Sequence, residues 1–200
     1  MSIEEMLAGS ACQDELDKVT QLQDLLAVKA EDVGALDVAY RTVASPVGDL
    51  LLAATDRGVV RVAFLHDDED AVLQGLSDQL SPRILRAPRR LDWVAIELDE
   101  YFAGTRHSFS TPVDLALARG FRRAVLDHLP EIAYGTTASY ARVAELAGSP
   151  KAFRAVGTAC ALNPVPIVIP CHRVVKSDGS MGLYAGGVAA KKVLLGLEAA

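Results

Sequence analysis

The chain has 200 residues, half of them hydrophobic, and a formal net charge of −6, which is enough to bury one sizeable core or two small ones. No run approaches the roughly 20 apolar residues that a bilayer crossing requires, and the N-terminus opens on Glu4 and Glu5 where a secretory leader carries positive charge, so a cytoplasmic protein is expected. Cys12, Cys160 and Cys171 are odd in number and lack paired spacing, which argues against a disulfide framework or a zinc knuckle.

The charge is unevenly spread. Residues 118–200 hold ten Lys or Arg against five Asp or Glu, a net of +5, which leaves −11 for residues 1–117. An average of −6 argues against nucleic acid, but the basic C-terminal part suggests a localised anionic partner.

Residues 1–38 contain nine acids and two lysines, with Leu22, Leu25, Leu26 and Val28 in a broadly helical rhythm. A solvated helix or a loose tail is the plain reading, because acidic segments with few aromatics bury little surface. An arm that binds an unknown partner is the sharper one. From Tyr40 onward, Leu50–Ala54 and Val59–Leu65 flank Asp56-Arg57-Gly58 and predict a β-hairpin. Helical spacing returns over 69–80 and over 91–102, where Trp93, Ile96, Leu98 and Tyr101 are expected to supply core faces. His66 and His107 sit among polar residues and read as surface groups. This part, 39–117, is expected to be a small α/β domain.

Pro112–Leu117 reads as a connector, followed by a helix over 121–129. Thr137 then stands where it would cap a helix with Tyr140, Val143, Ala144 and Ala147 on its apolar face, and Gly148 would end it. Pro150 lies near the start of a second helix, 151–162, and the pair fits a helix-turn-helix, although many helix corners share that pattern. The second helix carries the small residues Ala152, Ala155, Gly157, Thr158 and Ala159 around Arg154, a surface that allows close approach to a groove. Phe153 is bulky there, and its side is left open.

Pro164, Pro166 and Pro170 make 163–175 a stiff, extended segment that delivers Cys171 to one place. Cys160 and Cys12 fit the ordinary expectation of a small, inert core thiol. Cys171 differs because His172 and Arg173 adjoin it, and a reactive thiol needs a base or a positive field.

The run Asn163 to Val174 with its Pro-Cys-His-Arg-Val core, preceded by Arg154-Ala155-Val156-Gly157 and followed by Tyr184-Ala185-Gly186-Gly187 and Leu194-Leu195-Gly196-Leu197-Glu198, resembles the methylated-DNA-protein-cysteine methyltransferases, or O6-alkylguanine-DNA alkyltransferases. The match is strong over about 119–198 and general over 40–112. The resemblance implies a protein without cofactor that binds double-stranded DNA through its helix-turn-helix in the minor groove, and a monomer, expected here, suffices for single-use chemistry. Such a protein flips out an O6-alkylguanine, with O4-alkylthymine as a further substrate, and moves the alkyl group irreversibly to the cysteine.

Residue by residue, it implies Cys171 as acceptor and His172 as a base acting through water. Glu198 would orient His172, and Asn163 would brace the active-site turn. Arg154 corresponds to an arginine finger and Tyr140 to the residue that crowds the target phosphate, with Ala152, Ala155 and Gly157 at the DNA surface. Tyr184 would donate to guanine N3, and Val174 and the Ala185 backbone would line the base pocket. Ala185 stands where some members carry serine. The cysteine and histidine set of zinc-binding members is lacking, so no metal is expected.

The implied fold is α/β (α+β), with a small N-terminal α/β domain and a mainly helical domain over 118–200 carrying the Pro-rich active-site loop. Two other readings are a non-catalytic alkyltransferase-like binding protein, which carries another residue in place of the cysteine, and a Cys-His hydrolase, for which no oxyanion hole is visible.

Overall fold

The computed structural model describes residues 3–65 and 68–199, with side chains from Lys18 onward; His66 and the side chain of Cys12 lie outside the described residues. It is a mixed α/β structure, a small sheet unit followed by a helical unit. Helix α1 (Ile3–Asp32) exposes Leu22, Leu25, Leu26 and Val28 and buries only Ala27 and Ala30 of its final turns. A 3.5 Å ion pair from Arg90 to Glu31 ties down its end.

Strands β1 (Val38–Val43), β2 (Leu50–Thr55) and β3 (Gly58–Phe64) form an antiparallel meander. Helix α2 (Glu69–Gln79) then crosses over to β4 (Ile84–Arg86), which pairs parallel with β1, giving the order β3-β2-β1-β4. The predicted hairpin is therefore the β2–β3 half of a larger sheet. Strand β2 is central and covered on both faces. Its alternation sends Leu50, Leu52 and Ala54 into the main core and Leu51 and Ala53 into a smaller core under α2, with Leu76. Each fully buried leucine contributes about 1.5–3 kcal/mol.

Helix α3 (Asp92–Phe102) buries Val94, Leu98 and Tyr101, spaced four and three residues apart. Trp93 and Ile96, expected in the core, lie outside that stripe and are 36% and 55% exposed. The indole of Trp93 instead donates to the Arg90 carbonyl at 2.7 Å.

The helical unit opens with α4 (Gly120–His128). A two-residue strand, β5 (Ala138–Ser139), pairs parallel with β6 (Val174–Val175), so the start of the helix-turn-helix is stitched to the residues just after Cys171. Helix α5 (Tyr140–Leu146) is capped by Ser139, whose hydroxyl accepts from the Arg142 N–H at 3.1 Å. The cap is thus Ser139 and not Thr137, because β5 keeps the chain extended for two more residues. Helix α6 (Phe153–Ala161) begins after a turn at Ser149–Ala152, two residues later than the spacing predicts.

Helix α7 (Gly187–Glu198) closes the unit, burying Ala190, Lys191, Leu194 and Glu198. Val125, Leu126, Val143, Ala144, Val156, Ala159 and Leu194 continue the core that starts in the sheet. The Val62 N–H donates to Pro164 O at 2.8 Å, joining edge strand β3 to the cysteine-bearing segment. No helix among the described residues is long and apolar enough to cross a membrane.

Candidate active site

The segment between α6 and β6 is folded back on itself and not extended as predicted. Pro166 bridges Ile169, the Ile169 N–H donates to Val165 O at 2.9 Å, and Ile167 adopts φ 75°. A β-branched residue there is strained, and Ile167 holds that conformation while fully buried. The prolines remove competing donors, and the fold-back places Cys171, His172 and Arg173 in one 3-10 turn at the base of β6.

Asn163 locks this turn. Its side-chain amide donates to Ile169 O at 2.9 Å and to Cys171 Sγ at 3.1 Å, while its carbonyl accepts from the Val165 N–H at 3.0 Å. Burial pushes the Cys171 thiol up to about 11, against partial relief from the Asn163 hydrogen bond and the Lys191 charge. Lys191 is itself fully buried and donates to Val174 O at 2.6 Å. Its own affinity for a proton is lowered by that burial.

His172 is completely buried beside a dense polar cluster. Its Nε2 lies 2.8 Å from Glu198 Oε1, so the carboxylate selects the tautomer with the proton on Nε2 and leaves Nδ1 as acceptor. Nδ1 has no hydrogen-bond partner among the described residues. Glu198 also accepts from Arg173 Nε at 2.9 Å, from the Tyr101 hydroxyl at 2.7 Å and from the Gly135 N–H at 3.3 Å. Burial would raise its pKa, but these bonds, led by His172 and then Arg173, hold it down at about 2. Burial lowers the pKa of His172 despite Glu198, so the imidazole is neutral at pH 7.

Tyr184 is buried, with its hydroxyl unpaired among the described residues, and its ring stands edge-on to His172 at 6.2 Å. Val174 is fully buried and Ala185 is exposed. Tyr140, at the start of α5, is half-buried, and burial and then the two cysteines raise its pKa. On α6, Arg154 and Ala155 are exposed and Val156 turns inward, while Gly157 and Ala152, the residue just before the helix, are half-buried. Phe153 is 48% exposed, so it faces outward, with the Arg154 guanidinium 5.7 Å from its ring centre. Among the described residues no cluster of three His, Cys, Asp or Glu could hold a metal ion.

Two family models divide this chain between them. The 6-O-methylguanine DNA methyltransferase DNA-binding domain matches residues 120–200, and the ribonuclease-like domain of the same family matches residues 38–115. The chain belongs to the 6-O-methylguanine DNA methyltransferase family.

As a member it is a methyl-transferring enzyme. A methylated-DNA–protein-cysteine methyltransferase of Mycolicibacterium paratuberculosis is 37% identical over 161 residues, covering 80% of this chain and 92% of the relative. The inducible enzyme of that name from Bacillus subtilis is 44% identical over 148 residues, 74% of this chain and 82% of the relative. The crystal structure of the Mycobacterium tuberculosis protein in complex with DNA superposes with a TM-score of 0.69 at 34% identity, covering 80% of this chain and 92% of that one.

Several residues in and around this candidate site escaped sequence reasoning. Tyr101 was expected as core packing, and its hydroxyl contact with Glu198 spans 97 positions. Lys191 enters the sequence reading only as one of the ten C-terminal cations, and its place on the buried stripe of α7 with Ala190 and Leu194 is the signal that could have singled it out. His107 is exposed, as expected of a surface group, and stacks on Tyr134 at 4.2 Å. Gly182 matters through its missing side chain: a Cβ there would lie 2.0 Å from the Tyr140 hydroxyl.

Proposed function

We propose that this protein carries out direct-reversal DNA repair, taking the alkyl group from O6-alkylguanine, and also from O4-alkylthymine, in duplex DNA onto Cys171. The observation that carries the reading is a buried thiol held by Asn163 in the same turn as a fully buried histidine whose Nδ1 is unpaired among the described residues. His172 takes the thiol proton through an intervening water, and Glu198 stabilises the imidazolium. The thiolate then attacks the alkyl carbon. A sulfur–carbon bond forms, the carbon–oxygen bond to O6 breaks, and the electron pair leaves with guanine, which regains the proton. The Tyr184 hydroxyl donates to N3 of the departing base, against the charge that develops there. Val174 and the Ala185 backbone bound the base pocket. The thioether has no leaving route, so each chain acts once.

Getting the base to Cys171 requires extrusion from the stack at a cost of a few kcal/mol. Helix α6 lies in the minor groove, with Ala152, Ala155 and Gly157 allowing close approach. Arg154 fills the gap left by the extruded nucleotide, and Tyr140 crowds the target phosphate. The protein works as a monomer in two units, 39–117 and 118–200, with 1–38 as an extension.

Intact mass after reaction with an oligonucleotide carrying O6-methylguanine tests this. The expected result is one added methyl per chain, on Cys171, and no further uptake at excess DNA. A stable complex without mass change would favour the binding-protein reading, and undiminished methyl uptake by Cys171→Ala would end the assignment.

A further inference from the structure

Away from the thiol, a cleft of about 490 Å³ lies between edge strand β3, helix α2 and the segment after α6. Its lining includes the apolar residues Phe64, Leu76 and Leu117 and the two cations Arg61 and Arg122. No Asp or Glu is among the described residues that line it. Arg122 donates to the Leu117 carbonyl. Arg61, half-buried on β3, makes no hydrogen bond or ion pair with any described residue.

A largely desolvated guanidinium with nothing to pair it is an unfavourable arrangement, and burial accordingly weakens the hold of Arg61 on its proton. A protein that keeps such a group beside a second arginine and an apolar wall, with no carboxylate at hand, has the makings of an anion site. Two guanidinium groups balance a dianion, and a phosphomonoester carries about −1.5 to −2 charges at pH 7. The cleft volume suits a small molecule, and Phe64, whose ring packs edge-on with Tyr184 at 5.7 Å, is one of the apolar residues that line it.

We propose that this cleft is a binding site for a small phosphomonoester with an apolar or aromatic body, held by Arg61 and Arg122. It shares Ala185 with the proposed base pocket, but Cys171, His172, Val174 and Tyr184 do not line it. Asn163, whose amide holds Cys171 Sγ at 3.1 Å, also lines it. The site is thus distinct from the alkyl acceptor yet built on the same segment.

Calorimetric titration of the full chain with phenyl phosphate, inorganic phosphate and phenol tests the assignment. Phenyl phosphate should bind, more tightly than inorganic phosphate, and phenol should not. Arg61→Gln should weaken phenyl phosphate at least tenfold, as loss of one charge-assisted hydrogen bond requires, while leaving the methyl-transfer rate unchanged. The ligand-free melting temperature of that variant should equal or exceed the wild-type value, since no native partner is lost, which separates loss of the site from loss of the fold. Absence of phenyl phosphate binding to wild type, equal binding by Arg61→Gln, or displacement of phenyl phosphate by undamaged duplex DNA would each overturn the proposal. The last result would assign the arginines to the DNA interface.

Discussion

With its thiol held up at about 11 by burial, Cys171 is almost wholly protonated at neutral pH, so its reactivity depends on removing the proton at the moment of attack. That gives a test of His172 as the base. In wild type the single-turnover rate should stay level through the neutral range, because burial lowers the His172 pKa and keeps the imidazole in its accepting form below the ordinary value of about 6.5. In His172→Ala the rate should fall by about 10²–10⁴ at pH 7, the usual contribution of general base catalysis. It should then climb about tenfold per pH unit toward the thiol's own pKa. A flat profile in the variant would remove His172 from the proton path. Glu198 makes a separate prediction for stability. Its folded pKa of about 2 lies below the unfolded carboxyl value, so its contribution is fully present above about pH 4.5 and is lost as pH falls toward 2. Glu198→Gln leaves Arg173 buried without its counter-charge and should cost roughly 3–5 kcal/mol in urea unfolding at pH 7. The same variant should also flatten the acid limb of the stability profile. A wild-type acid limb in the variant would mean that other carboxylates dominate acid unfolding.

At the level of elements, helix α5 shows how near and how far sequence reasoning went. The apolar spacing of Tyr140, Val143, Ala144 and Ala147 located the helix, but its cap was expected at Thr137, two residues before the Ser139 that provides it. The choice depended on β5 pairing with β6 across 36 positions, which no local pattern encodes. Ser139→Ala should therefore cost about 1 kcal/mol, whereas Thr137→Ala should stay within about 0.5 kcal/mol. Equal losses would contradict the observed cap. Similar reasoning covers the active-site turn. Cys171 and His172 stood out in the sequence because their chemistry is adjacent in one run, whereas Asn163 entered only through the family resemblance. The turn they make was not legible, since three prolines suit an extended chain as well as a fold-back, and the outcome rests on Asn163 reaching Ile169 and Cys171. Tyr101 and Lys191 were illegible for a related reason, as a tyrosine on an apolar stripe and a lysine on an amphipathic helix are ordinary until the tertiary fold buries their polar ends. Trp93 and Ile96 failed in the opposite sense, since hydrophobic character alone does not say which stripe of α3 faces the sheet.

On the scale of the whole molecule, charge is divided between an acidic front and a basic C-terminal unit, and DNA binding should respond to that division. A chain beginning at Ala35 loses eight acids and two lysines, a net of −6, which brings its formal charge from −6 to zero. The fold should tolerate the cut, because the described side chains of α1 bury only Ala27 and Ala30 and its ion pair to Arg90 joins partly exposed groups. Removing negative charge strengthens the long-range attraction to phosphates where screening is weak, and the Debye length shrinks from about 30 Å at 0.01 M salt to about 10 Å at 0.1 M. The truncated chain should thus bind undamaged duplex DNA more tightly than the full chain at low salt, with the two affinities converging as salt rises. Methyl transfer to Cys171 from a saturating lesion-bearing duplex should be unchanged, since no described residue of α1 lies in the site. A gain in affinity that persists undiminished at high salt would mean that α1 covers the DNA surface by direct contact. A loss of affinity would mean that it contributes to binding.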